Sequence, residues 1–456
     1  MDPVTSLFAE QVLLPSGWVS NVRIGIQGGS IATIEPSSTP QPGDERCAIL
    51  LPTVANLHSH AFQRAMAGMA ERRGPSADSF WTWREEMYRL ALSMTPEQVE
   101  AVATMLYVEM LEAGFGRVGE FHYLHHDRDG APYANRAEMA ERIAAAASAT
   151  GIGMTLLPVF YARSGFGGAP AGDGQRRFIN DIDGFSRLVE SSRQAITHLP
   201  QANIGVAPHS LRAVTPQELS AVTAMTPDGP IHIHIAEQTK EVDDCIAWSG
   251  ARPVDWLLGN AQVDARWCLI HATHMTEAET IAVATAGAIA GLCPVTEANL
   301  GDGIFNGALF AEHGGRFGVG SDSNVLIGLA EELRQLEYSQ RLGSRARNVM
   351  AKGEGSTGRA LFDASVHGGS GALGRPASGI EVGAPADVFA LDVSHPTMDG
   401  KSGDALLDAF IFAGAAKPDR VWIGGRKLVE GGRHVLRDRA EAGYRAAMRG
   451  LAEAAA

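Results

Sequence analysis

The sequence has few cysteines, fewer basic than acidic residues and no apolar run of membrane-spanning length. Its 456 residues include four cysteines, none in a CxxC pair, which excludes a zinc ribbon and a disulfide framework. The 38 basic residues are outnumbered by 52 acidic ones, and the net charge of −14 argues against nucleic acid as a partner. Because it also has no leader pattern, we expect a cytoplasmic protein without a membrane partner.

Strand-like segments concentrate at the two ends of the chain. Hydrophobic residues make up 45% of the sequence, enough for a large core. Short strand patterns separated by glycine turns cover residues 7–14, 18–27 and 30–35 at one end and 386–391, 420–423 and 427–429 at the other. We expect these ends, residues 1–51 and 379–456, to form one small β-sandwich domain.

The middle of the chain alternates between apolar runs and helical stretches. Capping-box patterns begin helices after Thr95, Thr215 and Thr276. The mean spacing of the runs suits βα units. This pattern predicts a (β/α)8 TIM-like barrel over residues 52–378. The eight runs end near His58, His122, Tyr161, His209, His234, His271, Thr296 and Asp322.

Four of these run ends carry metal-ligand chemistry. Catalytic groups of such barrels lie at the C-terminal ends of the strands. His58 and His60 are two residues apart in a strand, so both imidazoles face the barrel mouth. With His234, His271 and Asp322 on other strands, they form a set of imidazoles and a carboxylate that suits a divalent ion such as Zn²⁺.

This set resembles the metal sites of the amidohydrolase superfamily. The resemblance covers nearly the whole chain and assigns the metal ligands to His58, His60, His234 and Asp322. Binuclear members carry a carboxylated lysine at strand four, where this sequence has His209 in a run without lysine. The resemblance therefore implies a single divalent metal, with Zn²⁺ expected and Fe²⁺ or Ni²⁺ as alternatives.

The same resemblance implies roles for three catalytic residues. The spacing of His234 and Glu237 is like the His-x-x-Glu of the deaminase branch, in which the glutamate shuttles protons. The metal activates a water that attacks an sp² carbon bearing nitrogen. Asp322 and His271 accept or orient the water proton, and Glu237 delivers a proton to the departing amine.

Within the superfamily, the sequence looks most like the formimidoylglutamate deiminases, an acyclic branch. That branch converts N-formimino-L-glutamate to N-formyl-L-glutamate and ammonia in histidine degradation. Its members imply an anionic small-molecule substrate and, commonly, a homodimer. The matching stretches are residues 56–65, 120–123, 209–212, 236–238 and 297–303.

Carboxylates of such a substrate require arginine, which binds them bidentately. The resemblance assigns this role to Arg84 and Arg212. Gln63, Tyr123 and His209 would add neutral hydrogen bonds, and His209 has the alternative of replacing a second metal ligand. The overall negative charge does not oppose anion binding, because salt screens surface charge beyond about 10 Å.

Other interpretations remain open at this stage. Phe80, Trp81 and Trp83 could form a slot for a flat ring, so a deaminase of a heterocyclic base such as guanine or cytosine is the alternative. A metal-free structural protein of the same fold is a non-enzyme alternative. His232 faces inward one layer deeper, where we expect packing, and of the histidines after strand two we expect at most one to touch substrate and the others to lie on a wet loop.

Overall fold

The structure is a computed structural model that describes residues 5–73, 80–375, 379–414 and 416–455. In chain order, its strands are β1 (Ser6–Leu14), β2 (Gly17–Gln27), β3 (Ser30–Glu35), β4 (Glu45–Pro52), β5 (Val54–Ser59), β6 (Phe115–His122), β7 (Gly153–Phe160), β8 (Arg163–Gly165), β9 (Ala169–Pro170), β10 (Asn203–Ile204), β11 (Ala207–Pro208), β12 (Ile231–Ile235), β13 (Trp267–His271), β14 (Ile289–Leu292), β15 (Arg316–Val319), β16 (Val388–Leu391), β17 (Pro418–Ile423), β18 (Arg426–Glu430) and β19 (Arg433–His434).

Helices follow most of the strands in the middle of the chain. The three predicted capping boxes are present: Thr95, Thr215 and Thr276 each accept the N3 backbone N–H, and the N3 side chain accepts theirs. The α-helices are α1 (Phe80–Ser93), α2 (Pro96–Glu112), α3 (Glu138–Thr150), α4 (Ile182–Ala195), α5 (Pro216–Thr223), α6 (Thr239–Ser249), α7 (Pro253–Asn260), α8 (Glu277–Ala286), α9 (Pro294–Leu300), α10 (Gly307–Glu312), α11 (Leu329–Ser344), α12 (Thr357–Ala372), α13 (Asp404–Asp408) and α14 (Arg437–Ala455).

Parallel strands form a barrel in the middle of the chain. β5, β6 and β7 pair in order, and both β10 and β11 pair with β7. β12, β13, β14 and β15 make the other half. Parallel bridges join the halves, one between Ser210 and His234 and one between Ser59 and Asp322. The predicted (β/α)8 barrel is confirmed, with β10 and β11 together as its fourth strand.

Strands from both chain ends combine into one sheet beside the barrel. Its order is β19-β18-β17-β16-β4-β1-β2-β3, antiparallel except between β1 and β4. The outer edge of β3 bonds to the segment before β16, where Ile31 N–H donates to the carbonyl of Ala384. The sheet thus folds over on itself around its own core, which includes the fully buried Trp422. Sequence patterns missed β4 and β19.

The C-terminal helix α14 was also not predicted. Its Ala440 and Tyr444 pack on Met105 and Val108 of α2, so the last part of the predicted β domain lies against a barrel helix. The domain boundaries stay predictions, and residue 378 lies outside the described residues. Among the helices of the described ranges, none is long and apolar enough to cross a membrane.

The seventh strand is shorter than the sequence suggested. β14 ends at Leu292, and Pro294 begins α9 in the next turn. Proline suits the first turn of a helix because its missing N–H has no partner to lose there. The prediction that the seventh run ends near Thr296 is therefore wrong. Thr296 lies in α9, where its hydroxyl donates to the carbonyl of Ser321 at 3.2 Å.

α12 lies directly against β15 because glycine occupies the contact. A Cβ on Gly368 would lie 1.8 Å from the carbonyl oxygen of Phe317. We expect Gly368→Ala to displace α12 and to lower the free energy of unfolding by about 3 kcal/mol or more. Gly371→Ala is the matched control, because its nearest atom is the flexible end of Ile289 at 3.0 Å. Equal denaturant midpoints for the two variants would contradict this account.

Candidate active site

Three histidines and an aspartate meet at the C-terminal mouth of the barrel. The Nε2 atoms of His58 and His234 are 3.1 Å apart, and Asp322 Oδ1 lies 3.3 Å from His58 Nε2 and 3.1 Å from His60 Nε2. A tetrahedral metal roughly 2.1 Å from each donor separates its ligands by about 3.4 Å. The spacing of these four residues, the metal tetrad, therefore suits one shared ion.

Hydrogen bonds from neighbouring strands set the tautomers of two of these imidazoles. His60 Nδ1–H donates to the carbonyl of Phe121 at 3.1 Å, and His234 Nδ1–H donates to the carbonyl of His209 at 3.0 Å. With the proton on Nδ1, each Nε2 has a lone pair available for a metal ion shared by the four residues. Burial lowers the pKa of His58 to about 3, so this ring is neutral too. The donors fit a divalent metal of borderline softness.

Residues with a left-handed backbone lie at or just after three strands that carry candidate site residues. Ala236, His271 and Asp322 have φ angles of 50°, 65° and 46°. Such conformations cost roughly 1–3 kcal/mol each and persist where surrounding contacts hold them. After Ala236, the N–H of Glu237 donates to Glu241 Oε2 of α6 at 3.2 Å. This bond holds the turn that aims Glu237 into the pocket.

Glu237 and His271 form a buried pair beside the metal tetrad. Glu237 Oε1 lies 3.9 Å from His271 Nε2, and Asp322 Oδ2 lies 3.7 Å from the same atom. Burial raises the pKa of Glu237. Burial opposes the charge on His271, but the carboxylates around it, Glu237 foremost, raise its pKa to about 10. A carboxyl group with a raised pKa can both accept and return a proton.

Two arginines surround a tryptophan on the outer side of the same pocket. The guanidinium carbons of Arg84 and Arg212 lie 4.5 and 5.9 Å from the centroid of the Trp81 ring. Arg212 is buried, with Nη2 4.0 Å from Glu241 Oε2, and Arg84 is half-buried on α1. Both line the pocket that also contains Glu237. This end of the pocket therefore suits anionic groups.

The three predicted neutral contacts line the pocket as well. Gln63 Nε2 donates to the Tyr123 hydroxyl at 2.7 Å, and the buried Gln63 Oε1 has no partner among the described residues. The His209 ring lies 4.8 Å from the His234 ring, centroid to centroid. Burial holds the pKa of His209 well below its usual range. Within the described ranges, His209 does not join the metal tetrad, which favours a hydrogen-bonding role.

The pocket brings together the residues singled out in the sequence. Of the four residues of the metal tetrad, His60, His234 and Asp322 line the pocket, whereas His58 is fully buried. Phe80 and Trp83 of α1 also reach the pocket, as the flat-ring alternative requires, whereas Trp81 lies under the arginines. The predicted residues that line it are His60, Gln63, Arg84, Tyr123, His209, Arg212, His234, Glu237, His271 and Asp322.

Tyr161 is a pocket residue that the sequence interpretation did not assign. Its hydroxyl accepts from Gln175 Nε2 at 2.7 Å and lies 3.4 Å from the hydroxyl of Tyr88. Burial raises the pKa of Tyr161, so the phenol stays neutral. Its position at the end of the third apolar run was a usable signal. Tyr88 comes from α1, whose sequence pattern contains no equivalent signal.

Several other histidines serve the fold. His232 is packed as expected, and its Nε2–H donates to the carbonyl of Ala372 at 2.7 Å. His122, His125 and His126 are all buried, and the latter two each donate an N–H to a backbone carbonyl. The prediction of a wet loop there is wrong, because the three side chains are buried and the two bonded ones reach carbonyls of other segments, Val159 and Ile179.

Comparison with known protein families covers nearly the entire chain. A model of the amidohydrolase family matches residues 49–428, and a model of the N-terminal domain of formimidoylglutamate deiminase HutF matches residues 4–48. The chain belongs to the amidohydrolase family. The resemblance seen in the strand-end residues is thereby confirmed.

Relatives of this amidohydrolase match it almost from end to end. Formimidoylglutamate deiminase of Pseudomonas aeruginosa is 51% identical over 440 residues, 96% of this chain and 97% of that one. A crystal structure of an amidohydrolase from Brucella melitensis is 64% identical and covers 98% of this chain and 99% of that one, with a TM-score of 0.96. An atrazine chlorohydrolase from Arthrobacter aurescens, complexed with zinc, is 19% identical over 97% and 100% of the chains, with a TM-score of 0.82, and shares the fold.

Proposed function

We propose that this amidohydrolase hydrolyses N-formimino-L-glutamate to N-formyl-L-glutamate and ammonia. The observation that carries the proposal is one pocket with a metal tetrad at one end and Arg84 and Arg212 at the other. The substrate has a matching polarity, with a formimino group at one end and two carboxylates that arginine binds bidentately. The 51% identity to the Pseudomonas aeruginosa deiminase supports the same substrate.

Glu237 has the central part in the proposed reaction. His58, His60, His234 and Asp322 would hold a divalent metal, which would supply Lewis-acid activation of the water that attacks the formimino carbon. Glu237 takes a proton from this water and delivers it to the departing nitrogen, which leaves only as a protonated amine. Its burial supports both steps, because the raised pKa makes the acid and the base forms accessible. His271 and Asp322 face the same space and orient the water.

The remaining pocket residues bind and orient the substrate in this proposal. Arg212 and Arg84 each hold a carboxylate, and the unpartnered Gln63 Oε1 accepts a hydrogen bond from the cationic formimino group. Tyr123 and His209 also line the pocket and would add neutral hydrogen bonds to the substrate. A guanine or cytosine ring carries no carboxylate and would give neither arginine an anionic substrate group to bind.

Release of ammonia from three substrates tests the proposal. We expect rapid release from N-formimino-L-glutamate and turnover at least about 100-fold slower with guanine or cytosine, because neither base uses the arginines. A coupled ammonia assay on the metal-loaded enzyme measures this. Turnover of a base with none of the acyclic substrate would establish the heterocyclic deaminase instead.

We also propose Zn²⁺ as the metal, since three imidazoles and a carboxylate suit it. One equivalent of metal per chain is expected after purification. His234→Ala should reduce the metal content severalfold, because the variant lacks one of the four metal ligands. Elemental analysis measures both, with His232→Asn as the control for a buried histidine outside the tetrad. Absence of bound metal from active wild-type protein would contradict the tetrad. The homodimer and the cytoplasmic location stay predictions.

A further inference from the structure

His271 is braced from the side opposite the pocket by a glutamate of α9. Its Nδ1–H donates to Glu297 Oε1 at 3.2 Å, while Nε2 at the other edge of the ring faces Glu237 and Asp322. Both partners are buried, with His271 1% and Glu297 7% exposed. Because the carboxylate only accepts, the bond keeps a proton on Nδ1 and sets which ring edge faces the pocket.

Glu297 is itself held in place by the backbone. Its Oε1 also accepts the N–H of Cys293, the N-cap residue of α9, at 2.8 Å, and its carbonyl accepts the N–H of Asp302 at 2.9 Å. The carboxylate is thus fixed relative to the end of β14. In this way the seventh strand contributes to the site through the first turn of the helix that follows it.

The backbone at His271 adopts a conformation that needs support from surrounding contacts. His271 and the next residue, Ala272, have φ angles of 65° and 48°, two successive left-handed residues without glycine. This conformation persists only where side-chain and backbone contacts hold it. The Nδ1 hydrogen bond to Glu297 also restrains rotation of the ring about its own side-chain bonds.

We propose that Glu297 is a positioning residue that holds the Nδ1–H of His271, fixes the orientation of the ring and so presents its Nε2 edge to the reacting water. The kinetic consequence rests on the proposed function, whereas the hydrogen bond itself does not.

A second metal site is the competing use of these side chains. His271, Cys293 and Glu297 lie close enough to share an ion. One observation argues against it. Glu297 Oε1 already accepts two N–H groups.

Three variants test the positioning role through a split between kcat and KM. Glu297→Ala should lower kcat about 10–100-fold, with KM within about threefold of wild type and unchanged metal content. Glu297→Gln keeps an acceptor oxygen and should recover most of kcat. The matched control is Glu332→Ala, because fully buried Glu332 accepts the N–H of Val295 in the same first turn of α9 at 2.9 Å but does not bond His271. This control should lower the melting temperature and leave kcat within about threefold.

A proton NMR spectrum of the metal-loaded protein tests the hydrogen bond without any measurement of turnover. The Nδ1–H of His271 bonded to a carboxylate should give a far-downfield imidazole resonance that disappears in Glu297→Ala and persists in Glu332→Ala. Any of three results would overturn the proposal. The resonance could be absent from wild type, the kcat of Glu297→Ala could lie within threefold of wild type, or Glu332→Ala could lose as much kcat as Glu297→Ala. If wild type released no ammonia from N-formimino-L-glutamate, the proposed function would fail and the resonance would still decide the role of Glu297.

Discussion

Glu237→Gln should lower kcat by about 10³-fold or more, because the glutamate is proposed to transfer a proton in both the attack and the departure steps. Glutamine has nearly the same shape, so the pocket should keep its geometry and the substrate should still bind. Glu237 does not belong to the metal tetrad, so the metal content should not change. Steady-state ammonia release and elemental analysis on the same preparation measure both quantities.

An exposed glutamate gives the control for this change. Glu277→Gln in the first turn of α8 removes the same charge at the surface and should leave kcat unaltered. If Glu237→Gln kept more than a tenth of the wild-type kcat, another group would have to shuttle the proton. Loss of metal along with activity would instead assign Glu237 to the metal site.

Arg212→Ala should raise KM for N-formimino-L-glutamate by about 100-fold or more, with a smaller change in kcat. Removing one partner of a buried charge pair costs roughly 2–5 kcal/mol, since the other charge is left without compensation. Arg212 is buried, and its Nε has no partner among the described residues, so the group is available for a carboxylate. The same substitution at half-buried Arg84 should have a smaller effect, because water can replace part of that interaction.

Two further variants separate binding from folding. Arg212→Ala also leaves the fully buried Glu241 without its ion-pair partner, so the melting temperature should be measured with KM. Arg212→Lys keeps the charge without the bidentate geometry and should recover part of the affinity. Arg187→Ala, at an exposed position of α4, is the surface control. A KM of Arg212→Ala equal to that of wild type would rule out the proposed carboxylate contact.

Local patterns accounted for much of the barrel and its site. The spacing of apolar runs and the three capping boxes predicted the order of strands and helices, because both signals come from residues near one another in the chain. The rule that strand ends form the mouth then placed His58, His60, His234, His271 and Asp322 together. The same rule would have included Tyr161, which ends the third run.

The errors had two origins, one overlooked local signal and several contacts between distant parts of the chain. The seventh strand ends before Pro294. This proline is a local signal that was overlooked because it lies within an apolar run. The segment of His122, His125 and His126 looked like a wet loop because the carbonyls that accept from His125 and His126 belong to distant segments. α14 was missed because the reason for its position, the surface of α2 that it covers, is more than 300 residues away in sequence.

The sequence by itself determined most of the barrel's strands and helices, the side chains at the barrel mouth and the chemistry those side chains allow. The tertiary structure alone decided how each side chain is held. It placed the Phe121 and His209 carbonyls that set two tautomers, and Glu297 behind His271. The physical reason is that periodicity reports which face of an element is buried, whereas a hydrogen bond between strands depends on register and backbone turns that form only in the assembled barrel.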